Sequence, residues 1–126
     1  MRILTPKYLG LLPAALWSVA VGVLSLLPGK SLPALTFWDL VAPDKAEHLT
    51  VYALMVAAWL GGLGNTRSWL QVVGICTAYG IALEWAQWLF TDRLYEYADM
   101  AANAVGCLVG AGVASIYYSG VLRRRA

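Results

Sequence analysis

The sequence predicts an all-α fold, an integral membrane four-helix bundle with both termini in the cytoplasm. Of the 126 residues, 60% are hydrophobic and only 13% are charged, whereas about 25% are charged in an average soluble domain. A soluble domain of this size would expose much of that apolar surface to water, and a bilayer removes this cost. Four apolar segments are long enough to cross a hydrocarbon core, which takes about 20 helical residues. We therefore expect a single membrane domain over residues 1–126.

The four predicted spans follow one another along the chain at about residues 8–27, 47–63, 69–90 and 98–121. We interpret the first as a retained span, because its apolar run is longer than the 7–15 residues or so of a typical signal peptide. The connections GNTRS and TDRLYEY are short. Short connections make consecutive helices antiparallel neighbours, which predicts a compact bundle.

The longer connection between the first two spans cannot form one continuous helix, because it contains three prolines: Pro28, Pro33 and Pro43. Its apolar side chains favour a short piece that lies on the membrane surface, re-enters the membrane or covers the polar residues that follow. These side chains are Leu35, Phe37, Trp38 and Leu40.

The distribution of basic residues predicts the orientation. With four spans, Arg2, Lys7, Arg67 and residues 123–125 share one side, against three basic residues on the other. Because cytoplasmic loops carry the excess of Lys and Arg, both termini are predicted to be cytoplasmic. All the acidic residues then fall at the extracytoplasmic end: Asp39, Asp44, Glu47, Glu84, Asp92, Glu96 and Asp99.

Polar side chains recur at helical spacing near the extracytoplasmic ends of three predicted spans. Residues three or four positions apart lie on the same helix face, so each span presents one pair. The pairs are His48 and Tyr52, Glu84 and Gln87, and Asp99 and Asn103. Asp44 and Lys45 come just before the first pair, and Arg93 lies in the loop between the last two spans. We expect these residues to converge on one site.

Placing a charge in hydrocarbon costs about 2.5–3.5 kcal/mol on insertion scales, so a carboxylate such as Glu84 requires partners or a function. One interpretation is a polar clasp that only holds the helices together, in a structural membrane subunit. Convergence from three helices favours a binding or catalytic site instead. A proton relay is disfavoured, because the polar residues stop halfway across the predicted membrane.

Small residues on the fourth span predict how the helices approach. Gly106 and Gly110 form a GxxxG pair, which lets helix backbones pack closely. Because Asp99 and Asn103 share their face, we expect this packing inside the bundle, and the oligomeric state stays open. Trp85 and Trp88, with Tyr95 and Tyr97 in the following loop, are predicted to anchor the outer membrane interface.

The segments DKAEHLTVY, EWAQ, Arg93 and DMAANAVG resemble the VanZ-like family of small bacterial membrane proteins. The shared pattern is D-K-x-x-H-x-x-x-Y, E-x-x-Q and R-x5-D-x3-N-x2-G, and it extends from Asp44 to Gly106. The resemblance implies a multi-pass protein of the bacterial plasma membrane. It also implies a link to resistance against teicoplanin, a glycopeptide antibiotic that acts on the cell wall. It does not supply a mechanism.

The function we favour is a site that binds or modifies an envelope lipid or a lipid-linked cell-wall precursor at the extracytoplasmic interface. Lys45 and Arg93 are candidate phosphate ligands, since both are cationic donors. The predicted substrate-binding residues are Lys45, Tyr52, Gln87, Arg93 and Asn103. We expect no nucleic-acid partner, and a homo-oligomer is left open.

If the protein is an enzyme, we expect a hydrolase or transferase acting on a lipid headgroup. The candidate acid–base residues are His48, Glu84, Asp99 and Asp44, in which a carboxylate would orient the imidazole base. No metal ligands are assigned and no cofactor is required. The sequence nevertheless leaves open a divalent cation held by His48, Glu84 and Asp99. A carboxylate-rich set with one histidine suits Mg²⁺ or Mn²⁺ better than structural zinc.

Overall fold

The computed structural model describes residues 9–27 and 43–125, except for the side chains of residues 43, 44, 122, 123 and 125. Within these ranges the chain forms four helices and no strand, which confirms the all-α prediction there. The helices are α1 (Leu12–Ser25), α2 (Pro43–Leu63), α3 (Trp69–Phe90) and α4 (Tyr97–Arg125). The predicted bounds match α3, whereas α2 begins four residues earlier than expected and α4 ends four residues later. Residues 28–42, which form most of the proline-containing connection, lie outside the described residues.

Local chemistry accounts for several helix ends. Pro13 lies in the first turn of α1, where its missing N–H is not needed by the helix and its fixed φ favours helical geometry. Pro43 begins α2 in the same way. Helix α3 ends at Phe90, and the next residue, Thr91, is extended. The Thr91 N–H and hydroxyl both donate to the Gln87 carbonyl oxygen, at 2.9 and 2.6 Å.

The closest helix pair is α2 with α4. A Cβ at Gly106 would overlap the carbonyl oxygen of Leu49, and one at Gly110 would overlap that of Ala53. Each pair of positions is one helical turn apart on its own helix, so two successive turns of backbone meet directly. The GxxxG pair therefore packs inside the bundle, and this contact fixes the spacing and the register of α2 against α4.

Helix α1 is held against α2 and α3 by hydrogen bonds from aromatic side chains. The Trp17 indole donates to the Val51 carbonyl oxygen at 3.0 Å. The Trp59 indole donates to the Ser18 hydroxyl at 3.0 Å, and the Tyr79 hydroxyl donates to the Ser18 carbonyl oxygen at 2.7 Å. Each bond satisfies a polar group inside an otherwise apolar interface.

The outer surface is unusually apolar, and the buried core is narrow. Ile75, Phe90 and Ile116 are 70–80% exposed, and many other large apolar side chains are also exposed. Contiguous apolar surface of this kind requires a lipid or protein partner to cover it. In the described part of the chain, two helical stretches are long and apolar enough to cross a membrane, Lys45–Leu63 and Tyr97–Val121, while the apolar helix α1 is shorter.

Candidate functional site

Polar side chains are buried together at one end of the bundle. Asn103 is 1% exposed, Glu84 2%, Gln87 4% and Asp99 6%. They lie near the end of α3 and the start of α4, and the start of α2 adds Lys45 and His48. We refer to Lys45, His48, Glu84, Asp99 and Asn103 as the polar cluster.

The centre of the polar cluster is formed by His48, Glu84 and Asp99, one residue from each of three helices. One imidazole nitrogen and one oxygen from each carboxylate all lie within 4.8 Å of one another. His48 lies five residues into α2 and Glu84 six residues before the end of α3, which places both about 8–9 Å from their helix ends. These two depths match. Asp99 lies only two residues into α4, and its oxygen still comes within 4.8 Å of the other two ligand atoms.

The His48 imidazole is oriented by Asn103. Its Nδ1 lies 2.9 Å from the Asn103 Oδ1 atom. An amide oxygen only accepts hydrogen bonds, so this contact assigns a hydrogen to Nδ1. The other ring nitrogen, Nε2, faces Oδ2 of Asp99 at 3.7 Å.

Lys45 lies at the mouth of the polar cluster and contacts two carboxylates. Its Nζ donates to Oδ1 of Asp99 and, at 2.5 Å, to Oε2 of Glu96. The Lys45 side chain is one-third exposed, whereas that of Asp99 is 8% exposed. The two oxygens of Asp99 are therefore divided, one bound to the ammonium and the other turned towards His48.

Two residues at this end were not predicted from the sequence. Glu96 shares Lys45 with Asp99, and its position three residues before Asp99 was the available signal. Gly80 lies one turn below Glu84 on α3, and a Cβ there would be 3.0 Å from both Asn103 Nδ2 and the Tyr52 ring. Gly80 thus allows Tyr52 and Asn103 to approach the α3 backbone.

The Asn103 amide is deeply buried and only partly satisfied. Its Oδ1 pairs with His48, but among the described residues its Nδ2 has no hydrogen-bond partner. Tyr52 is also buried and packs beside this amide at the base of the polar cluster. A buried amide donor without a partner is costly unless a water or ligand accepts from it.

Besides Tyr52, which packs at its base, three predicted site residues are not part of the polar cluster. The Arg93 N–H donates to the Thr91 hydroxyl at 3.1 Å, and within the described residues no ion pair links its guanidinium to the cluster. Gln87 is buried at the same end of α3. Asp44 lies in the first turn of α2, and its side chain is outside the described part of the chain. Leu35, Phe37, Trp38 and Leu40 are also outside it.

The predicted interfacial aromatic residues line an open cleft at the same end of the bundle. Trp85, Trp88, Tyr95 and Tyr97 surround a volume of about 330 Å³. The Tyr95 ring lies edge-on to both Trp85 and Tyr97, with centroid distances of 6.4 and 5.0 Å. This aromatic cleft presents mostly apolar surface beside the charged mouth of the polar cluster.

The site combines an ammonium, an imidazole, two buried carboxylates and a buried amide donor. Such a set can bind a cation, hold a headgroup that carries phosphate and hydroxyl groups, or exchange protons with a bound molecule. The chain matches no family model, no curated protein and no solved structure.

Proposed function

We propose that this chain is a multi-pass protein of the bacterial plasma membrane, of the VanZ-like class, that binds the headgroup of an envelope lipid or lipid-linked cell-wall precursor. One observation carries the proposal. Polar side chains from three helices are buried together at one end of a bundle whose outer surface is apolar. The charge distribution of the loops supports placing that end at the extracytoplasmic interface, with both termini in the cytoplasm.

The apolar exterior supports insertion in the membrane. On α1 the side chains of Leu12, Leu16, Val19 and Val23 are all more than half exposed and follow one helix face. In water this face would be a large unpartnered patch. In a bilayer it contacts acyl chains, and the polar cluster on the inner faces of α2, α3 and α4 is screened from them.

The chemistry of the mouth supports a headgroup as the ligand. Lys45 presents a partly exposed ammonium that can pair with a phosphate. The Asn103 Nδ2 supplies a buried donor, and the carboxylates of Glu84 and Asp99 accept from hydroxyl or ammonium groups. The aromatic cleft offers apolar surface for the acyl chain or sugar rings of the same molecule.

A purely structural clasp is the main alternative. A clasp gains nothing from a buried amide donor that has no protein partner, because an unsatisfied donor costs about 1–3 kcal/mol. The Asn103 Nδ2 atom is such a donor among the described residues. This observation favours binding over a clasp.

Native mass spectrometry of the purified chain tests the proposal. We expect a phosphate-bearing lipid to co-purify with the wild type and with Arg67→Gln, which removes an exposed charge from the opposite end. Lys45→Gln should lose most of that lipid while keeping its helical circular dichroism. Equal lipid in all three proteins, or none in the wild type, would contradict the proposal.

A second function, a hydrolase or transferase acting on the same headgroup, is favoured by the orientation of His48. Asn103 holds Nδ1, and Nε2 is directed towards Asp99, which is the arrangement of an oriented general base. We expect His48→Ala to stop any change in headgroup mass when the chain is incubated with vesicles of extracted bacterial lipid. Conversion at the wild-type rate by His48→Ala would show that His48 is not the base.

A further inference from the structure

We propose that His48, Glu84 and Asp99 bind one divalent cation of the Mg²⁺ or Mn²⁺ type. In the proposed lipid-binding function, the cation would bind the phosphate of the headgroup. Only this role of the cation rests on the proposed function. Cation binding by the three side chains requires no lipid and is tested separately.

The distances between the ligand atoms fit a single cation. Hard cations of this size bind oxygen and nitrogen ligands at about 2.1–2.2 Å, which separates two ligands on one ion by about 3.0–4.4 Å. The Nε2 of His48 and Oδ2 of Asp99 are 3.7 Å apart, within that range and too long for a hydrogen bond. One imidazole nitrogen and one oxygen each from Glu84 and Asp99 lie within 4.8 Å of one another, so a small side-chain adjustment completes this set of three ligands.

Neighbouring side chains orient the three proposed ligands, as the hydrogen-bond partners of metal ligands do in metal sites. Metal-binding histidines give their second ring N–H to an acceptor, and metal-binding carboxylates accept a further hydrogen bond. Here His48 Nδ1 contacts Asn103 Oδ1, and Asp99 Oδ1 accepts from Lys45. The atoms that face each other are therefore Nε2 of His48 and the second Asp99 oxygen, the two that a metal would use.

The Asn103 Nδ2 atom provides an independent observation. It belongs to a side chain that is 1% exposed, in direct contact with the His48 ligand, and it has no hydrogen-bond partner among the described residues. This donor lies on the Nδ1 side of His48, beside Gly80 and Tyr52. It suits a buried water or ligand oxygen next to the ligating histidine.

The charge of the polar cluster also favours a cation. Glu84 and Asp99 are buried carboxylates, and the ammonium of Lys45 is shared between Asp99 and the more exposed Glu96. Buried charge is costly unless it is balanced. A divalent cation balances Glu84 and Asp99, and Lys45 then balances Glu96, so the site as a whole is neutral.

Titration with Mn²⁺ tests the site in the purified, detergent-solubilised full chain after treatment with EDTA. The electron paramagnetic resonance signal of free Mn²⁺ disappears on binding, so it reports the bound fraction directly. We expect one Mn²⁺ per chain for the wild type and for Glu47→Gln, which removes an exposed carboxylate next to His48. Mg²⁺ should compete for the same site.

The ligand variants should lose this binding. We expect His48→Gln, Glu84→Gln and Asp99→Asn to bind Mn²⁺ at least about 100-fold more weakly, and Asn103→Leu about 10–100-fold more weakly through the orientation of His48. Saturating Mn²⁺ should raise the melting temperature of the wild type and of Glu47→Gln, because a ligand of the folded state stabilises it. The melting-temperature shift is measured on the wild type and Glu47→Gln, so it tests the site even if the ligand variants do not fold.

Two outcomes would overturn the proposal: no saturable Mn²⁺ binding and no melting-temperature shift in the wild type, or folded ligand variants that bind as well as Glu47→Gln. Native mass spectrometry with EDTA separates this proposal from the lipid function. Mn²⁺ binding without any co-purifying lipid would leave the metal site in place and contradict the lipid function. Lipid retained in EDTA, with no Mn²⁺ binding, would contradict only the metal site.

Discussion

The Nε2 atom of His48 lies 3.7 Å from Oδ2 of Asp99, across the interface between α2 and α4. Each residue is held from its other side, His48 by Asn103 and Asp99 by Lys45. This interface is also where Gly106 and Gly110 bring the two backbones together. The close packing of α2 against α4 therefore also sets the positions of His48 and Asp99 relative to each other.

Adding one methyl group at the helix interface should destabilise the protein. Gly106→Ala places a Cβ against the Leu49 carbonyl, and relieving such an overlap requires a backbone shift that costs about 1–3 kcal/mol. Cys76 and Cys107 are free and buried, so a thiol-reactive fluorescent dye reports unfolding on heating. We expect a lower melting temperature for Gly106→Ala.

Gly112→Ala on the same helix is the matched control, because no atom lies within 4 Å of the added Cβ. Alanine is favoured over glycine in a helix by up to about 1 kcal/mol, so this variant should melt at or above the wild-type temperature. Equal melting of the two variants would show that α2 and α4 do not meet at Gly106.

Gly80→Ala should impair ligand binding by the polar cluster. The added Cβ lies 3.0 Å from both Asn103 Nδ2 and the Tyr52 ring, closer than most van der Waals contacts, so Asn103 must move and its contact with His48 weakens. We expect weaker Mn²⁺ binding, measured by electron paramagnetic resonance.

The control for this variant is Gly74→Ala on the same helix, where a Cβ meets open space. It should keep the wild-type affinity for Mn²⁺. If both variants bind equally well, Gly80 has no part in shaping the site.

Asp99 and Glu96 should contribute unequally to stability although Lys45 binds both. Asp99 is 8% exposed in its side chain and Glu96 48%. Loss of the buried charge in Asp99→Asn should cost about 1–3 kcal/mol, whereas Glu96→Gln removes a surface pair that is typically worth about 0–1 kcal/mol. In EDTA, dye-monitored melting should give a lower melting temperature for Asp99→Asn than for Glu96→Gln. The reverse order would show that Lys45 contributes to stability mainly through its exposed pair with Glu96.

Cysteine labelling should determine the orientation in the membrane. Leu94 in the loop before α4 is 82% exposed, and Asn65 is exposed in the connection between α2 and α3. A membrane-impermeant maleimide should label Leu94→Cys in intact bacteria but label Asn65→Cys only after permeabilisation. The buried Cys76 and Cys107 supply the unlabelled background, and the opposite pattern would place the polar cluster in the cytoplasm.

Helical periodicity explains the features that could be predicted from the sequence. The four helices, the bounds of α3 and the internal packing of Gly106 and Gly110 depend on composition and on spacing within one helix. Counting residues from the predicted helix ends placed His48, Glu84 and Asp99 at the same end of the bundle, since each residue adds about 1.5 Å. The same count put Glu84 deeper than the other two, whereas one ligand atom of each lies within 4.8 Å of the others in the structure.

Contacts between helices required the tertiary structure. The sequence does not specify how far each helix is rotated or shifted along its neighbour, so it could not show that Asn103 meets His48 or that Lys45 reaches Glu96. For the same reason Arg93 was expected in the site but is not joined to it by any described ion pair, and Gly80 was overlooked. Thus the sequence alone determined four helices with polar residues at one end. The backbone contact between α2 and α4 decided which of those residues meet, because it sets the rotation and register of the helices that hold them.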